Sequence, residues 1–171
     1  MAICIDAGVD TIEHGKLCDL EDFVAMRKRG TWLVTNHAVS GHPDGIEKGD
    51  ARVPSIMAKL RESRETSRRT FRFVLESGVK WALGTDSMHG LMWWEIAQVV
   101  EWGADSHDVI LAATRRAAEA IGMADEVGSL EPGKLADVIG VDGDPLDDVR
   151  CLEWVGVIFQ GGQRRDALSL Q

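Results

Sequence analysis

Three observations predict an α/β protein built on a parallel sheet, barrel or open, followed by a β layer of another kind. First, three mostly apolar or β-branched segments, 9–14, 31–36 and 79–86, are each followed by a helical pattern. Strands buried on both faces by covering helices read this way. Second, each segment closes on polar residues: His14 on the first, Asn36 and His37 on the second, Asp86 on the third. Parallel strands bring their C-terminal ends to one rim, where functional groups gather in such folds. Third, strand–helix alternation stops near residue 122. Beyond it, "ADVIGVDG" and "WVGVIFQGG" read as strands around the turn-rich "DGDPLDD".

The first strand, Val9 to His14, begins after Gly8. "DLEDFVAMRKRG" then predicts a helix. Asp19 caps it, Asp22 sits favourably in the first turn, Arg27, Lys28 and Arg29 face the negative C-terminal end, and Gly30 stops it. "TWLVTN" is the second strand, and "HAVSGHPDGIEKGD" reads as a loop. Residues 52–77 predict a long charged helix with Arg61–Glu65 and Glu65–Arg69 at i,i+4 spacing. Interleaved Glu62, Glu65 and Glu76 make its basic residues a solvated face, not a nucleic-acid surface. Gly78 ends it ahead of the third strand. Two further helices are predicted over 91–102 and 106–121, the second capped by Ser106 and followed by Gly122. Trp93 and Trp94 are expected to pack into the core from the former.

The 171 residues carry a formal net charge of -9, which argues against nucleic acid or an anionic membrane as partner. No apolar run approaches the roughly 18–20 residues of a membrane span. The N-terminus lacks the basic start and apolar stretch of a signal peptide. Cys4, Cys18 and Cys151 are scattered and odd in number, as free thiols of a reducing compartment would be. A cytoplasmic location is the expectation.

In this order, "AGVDTIEHG", "GVKWALGTDSMHG" and "AATRRAAEAIGMADEVGSLEPGKLADVIGVDGDPLDDV" resemble the C-terminal part of the amidohydrolase superfamily. The nearest branch is that of the imidazolonepropionase-like and Xaa-Pro dipeptidase-like metal-dependent hydrolases. "IEHG" and "GTDS" are weak signals alone, whereas "GSLEPGKLADVIGVDGDP" is long enough to be specific. The resemblance implies a (β/α)8 barrel with one or two divalent metals at its C-terminal rim, plus a small β-sandwich. Residues 1–122 would be a partial barrel of about three βα units, and 123–171 a sandwich segment. His14 would correspond to the metal-binding histidine after strand six. Asp86 would correspond to the catalytic aspartate after strand eight, which binds metal and shuttles a proton.

Imidazole and carboxylate suit zinc, the expected metal, which lowers the pKa of the water it holds towards about 7. The implied reaction is hydrolysis of an amide, peptide-like or cyclic amide C–N bond in a small-molecule or dipeptide-like substrate. His89, one short loop beyond Asp86, and His37 are the expected substrate contacts. The family's H-x-H pair, bridging lysine and fifth-strand histidine have no counterpart in this sequence. The expectation is therefore a fragment, weakly active alone, whose partner is a missing N-terminal part or a second copy. The alternative is a non-catalytic α/β module that binds a partner through exposed strand edges.

Plainer readings stand beside these. His14 can be a strand-end histidine satisfied by a carbonyl, and Asp86 a helix cap. His42 and His107 read as loop and cap residues, and Glu13 points away from His14 within a strand. "GKL" lacks the hydroxyl residue and first glycine of a phosphate loop. "DGDPLDD" begins like a calcium loop, but Leu146 occupies a ligand position and Asp147 replaces the required glycine.

Overall fold

A computed structural model describes residues 1–50 and 53–165. A short helix α1 (Ala2–Asp6) leads to β1 (Thr11–Glu13), α2 (Leu20–Arg29), β2 (Trp32–Thr35), two short helices α3 (Ala38–Gly41) and α4 (Ile46–Asp50), the long α5 (Pro54–Ser77) and β3 (Trp81–Leu83). Strands β1, β2 and β3 pair in parallel in that order, with Ile12 opposite Leu33 and Val34 opposite Ala82. The predicted parallel sheet is present, with each strand shorter than its apolar segment.

The α2 sequence carries its own start and stop. The Asp19 carboxylate accepts the Asp22 N–H at 2.9 Å, the Asp22 carboxylate accepts the Asp19 N–H at 3.3 Å, and Gly30 ends the helix at φ 79°. This reciprocal cap satisfies two donors that an open helix end leaves unpaired. Phe23 and Met26 of α2 are buried, with Phe71 and Val74 of α5, Leu33, Trp81 and Leu83 of the sheet, and Ile96 and Val99, in one core cluster. Burying a side chain of this size contributes about 1.5–3 kcal/mol each. Arg61, Glu62, Glu65, Arg68 and Arg69 of α5 are exposed, as a solvated face requires. Neither Arg61–Glu65 nor Glu65–Arg69 is among the ion pairs of the described residues; Arg64 instead reaches Glu47 at 2.5 Å. The predicted helix start at residue 52 lies outside the described residues.

After β3 come α6 (Met92–Glu101), α7 (Ser106–Ala113) and α8 (Arg115–Ala120). The single helix expected over 106–121 is broken at Thr114, at φ −124° and ψ −93°, where its hydroxyl donates to the Ile110 carbonyl at 2.7 Å. A hydroxyl that bonds back to i−4 bends or ends a helix in this way. Asp105, not Ser106, is the cap of α7, accepting the N–H groups of His107 and Asp108. Trp94 also departs from expectation: it packs edge-on against His42, ring centroids 5.5 Å apart, over the 38–45 segment.

Antiparallel β4 (Val138–Val141), β5 (Val155–Gln160) and β6 (Gln163–Arg165) form the second sheet, with a 3-10 turn at Val149–Glu153 that packs on α6. The Asp144 side chain closes the "DGDPLDD" turn by accepting the Leu146 N–H at 2.8 Å. Gly161 and Gly162, at φ 56° and 78°, make the tight turn into β6, since two successive positive φ values match the twist of a hairpin. No described helix is long and apolar enough to cross a membrane.

Candidate metal and substrate site

Among the described residues, only two besides glycine hold a positive φ: His14 at 65° and Asp86 at 54°. Each follows a strand of the parallel sheet, so both strained positions lie on its C-terminal rim. Left-handed backbone costs a non-glycine residue about 1–2 kcal/mol and, when held by its surroundings, points to a functional position. His14 is anchored by its N–H, which donates to the Val34 carbonyl at 2.9 Å. Gly15 follows at φ 62°, and a Cβ there would lie 2.6 Å from Leu33 Cδ1. A side chain at position 15 would both strain the backbone and displace Leu33.

The His14 ring meets the residue that closes β2. Its Nδ1 donates to Asn36 Oδ1, and Asn36 is 6% exposed. With Nδ1 carrying the proton, Nε2 keeps a free lone pair on an exposed ring; an amide or carboxylate on one ring nitrogen prepares the other to bind a metal. Asp86 is exposed two residues beyond Gly84, whose N–H pairs with the Thr35 carbonyl at 2.9 Å. Two strand spacings, about 10 Å, separate the ends of β1 and β3. No group of three or more His, Cys, Asp or Glu among the described residues is placed to hold a metal ion. His14 offers one nitrogen and Asp86 one carboxylate, donor types that zinc takes.

Of the other expected contacts, His89 is exposed in the turn that follows Asp86. His37 lies beneath the rim. It is 4% exposed, its ring sits edge-on to Trp102 at 4.7 Å and to Phe71 at 6.2 Å, and both ring nitrogens are buried without a partner among the described residues. Burial, followed by the charges of Lys16 and His14, pushes its pKa down to about 3.

The sequence reading passed over two residues that shape this region. Lys16 donates to Ser40 Oγ at 2.6 Å and to Ser63 Oγ at 3.4 Å, and burial lowers its pKa. With His14, Asn36 and Lys59 it lines a cleft of about 320 Å³ whose other walls include Val39, Ile46, Ile56 and Leu60. Glu95 of α6 is 0% exposed, and its Oε1 accepts the N–H groups of His37 and Ala38, both at 2.6 Å. Burial raises its pKa to about 7 against the opposing pull of those two bonds and of Lys16. A lone carboxylate within the apolar "LMWWEIAQVV" was the available signal, because a buried charge is kept only where something pairs with it.

Residues 1–162 match the model of the Amidohydrolase family. The chain belongs to this family. The ochratoxinase of Aspergillus niger is 30% identical over 170 residues, covering 93% of this chain and 34% of that protein. A crystal structure of a Xaa-Pro dipeptidase with methionine bound in its active site superposes with a TM-score of 0.84 at 35% identity, over 95% of this chain and 41% of that one. A 5-methylthioadenosine/S-adenosylhomocysteine deaminase of Teredinibacter turnerae is 42% identical over 85 residues, 42% of this chain and 19% of that protein. The amidohydrolase chain thus spans about a third of the ochratoxinase and two fifths of the dipeptidase. These relatives bear out the resemblance read from the motifs.

Proposed function

We propose that this amidohydrolase chain serves a metal-dependent hydrolase of C–N bonds, amide, peptide-like or cyclic amide, with His14 and Asp86 among its metal ligands. The observation that carries this reading is the pair of left-handed non-glycine residues, His14 and Asp86, at the ends of two strands of one parallel sheet. On this reading β1, β2 and β3 are strands of a (β/α)8 barrel within 1–122, and 123–171 belongs to a β-sandwich. A divalent ion held with the help of His14 and Asp86, taken to be zinc, would supply polarisation of the scissile carbonyl and a more nucleophilic water near neutral pH.

The chain's own residues do the rest. Asn36 holds the Nδ1 proton of His14 and keeps Nε2 facing the rim. The Asp86 carboxylate takes a proton from the attacking water and returns it to the departing nitrogen. Lys16 and Lys59 on the cleft wall suit a carboxylate on the substrate, with Val39, Ile46 and Ile56 against its apolar part. His89, in the turn after Asp86, contacts the substrate from the other side. His37 enters as buried support for the rim and not as a contact. Two protein ligands fall short of the three or more in a usual catalytic zinc site, so the 171-residue chain alone should bind zinc weakly and turn over slowly.

Calorimetric titration of the chain with zinc tests this reading. Binding should weaken at least tenfold in the His14→Ala/Asp86→Ala double variant while the circular dichroism spectrum is retained. Equal zinc affinity in the folded double variant would overturn the assignment.

A further inference from the structure

Asn36 is restrained on both sides of its Cα, and both restraints come from the β3–α6 unit. The peptide before it carries the Thr35 carbonyl, which accepts the Gly84 N–H at 2.9 Å. The peptide after it carries the His37 N–H, which Glu95 Oε1 holds at 2.6 Å. Fixing two successive peptide planes fixes the φ and ψ between them, and with them the direction in which the Asn36 side chain leaves the backbone. That side chain is the one that takes the His14 Nδ1 proton.

We propose that Glu95 is a positioning residue for His14: its buried carboxylate clamps the His37 and Ala38 amides, sets Asn36, and thereby keeps the His14 ring with Nδ1 protonated and Nε2 open. The proposal rests on the reading of His14 as a ligand only for its purpose; the chain of contacts stands without a metal.

Several features favour positioning over mere filling. Among the described residues Glu95 is the only acidic one of the largest fully buried side chains, and its immediate neighbours in sequence are apolar. Its two bonds go to the first amides of α3, a helix of four residues with no side-chain cap of its own. Those amides point into the protein, so water does not offer a ready substitute. Moreover, α6 follows Asp86 in the chain, so the element that trails one ligand candidate steadies the other.

Long-range 1H–15N spectra of the metal-free, 15N-labelled chain read the His14 tautomer directly. Wild type should show His14 protonated at Nδ1. Glu95→Met, which fills the space without accepting a bond, should give a mixed tautomer, and zinc affinity should fall about tenfold, the lower end of effects at supporting residues. Glu95→Gln still offers an oxygen to both amides and should restore both the tautomer and the affinity. Should the methionine variant fail to fold, Glu95→Asp retracts the carboxylate by one methylene and gives the same readout. A wild-type tautomer that persists in a folded Glu95→Met or Glu95→Asp chain overturns the proposal, as does a wild-type His14 not protonated at Nδ1. A tautomer that responds as stated in a chain whose zinc binding ignores His14 leaves the positioning role intact and removes only the metal reading.

Discussion

The rim of the parallel sheet and the antiparallel sheet of residues 138–165 treat their backbone and polar groups in different ways. At the rim, His14 and Asp86 sit in left-handed backbone, and beneath it five buried side-chain atoms on Thr35, His37, Ser67 and Glu95 have no partner among the described residues. In the antiparallel sheet the positive φ values fall on Gly143, Gly161 and Gly162 alone, and Ile139 and Phe159 are exposed. Between that sheet and α6–α8 lies an apolar cleft of about 770 Å³. Strain and unpaired polarity are costs that persist where surrounding structure holds them. Here the well-packed part of the molecule carries them and the loosely packed part does not, as expected if the core serves the rim.

Core truncation should separate the two regions most widely. Phe71 is 1% exposed and packs edge-on against Trp81 at 5.3 Å beneath the sheet. Phe71→Ala should cost about 3–5 kcal/mol, whereas Phe159→Ala on β5 should stay below about 1 kcal/mol. Urea unfolding monitored by tryptophan fluorescence measures both. Similar losses for the two would mean that the antiparallel sheet is as firmly built as the parallel one.

A narrower contrast compares glycines of like backbone. Gly15 and Gly161 both have positive φ, 62° and 56°, but a Cβ at Gly15 meets Leu33 Cδ1 at 2.6 Å and a Cβ at Gly161 meets nothing within 4 Å. Gly161→Ala should cost only the conformational term of about 1 kcal/mol. Gly15→Ala adds a clash with a buried leucine and should cost about 2–3 kcal/mol. It should also shift the His14 ring signals in spectra of the folded variant. Equal midpoints for the two variants would show that Leu33 yields freely, and that the rim is softer than its packing implies.

How much of this was legible before the structure follows from where the causes lie. The α2 helix could be read because its cap, its charged ends and its stop are contiguous in "DLEDFVAMRKRG". His14 and Asp86 could be singled out because strand ends show in an apolar pattern. The short helices α3 and α4 escaped because four or five residues carry no periodicity. Strand β6, Gln163–Arg165, escaped because no residue in it favours a strand, and pairing across the Gly161–Gly162 turn creates it. The break at Thr114 depends on one hydroxyl finding a carbonyl. Lys16 and Glu95 matter through partners 24 to 58 residues away, a relation that no local pattern contains.

The smallest expected effect is a cancellation inside the rim itself. The folded pKa of His37 is pushed below its ordinary value of 6.5 to about 3, so the unfolded chain binds more protons between those values. Stability from His37 is therefore complete above about 6.5 and is lost as pH falls towards 3. Glu95 runs the other way: its folded pKa is raised from 4.5 to about 7. Its contribution is complete below about 4.5 and is lost as pH rises towards 7. Over pH 4.5 to 6.5 the two slopes, each at most about 1.4 kcal/mol per pH unit, oppose one another. These two groups should leave the wild-type urea midpoint nearly flat there. Glu95→Gln leaves His37 unopposed, and its midpoint should rise with pH across this window; His37→Phe leaves Glu95 unopposed, and its midpoint should fall. If both variants slope the same way, the buried pair does not divide the protons as their surroundings require, and the contrast between rim and antiparallel sheet loses its electrostatic half.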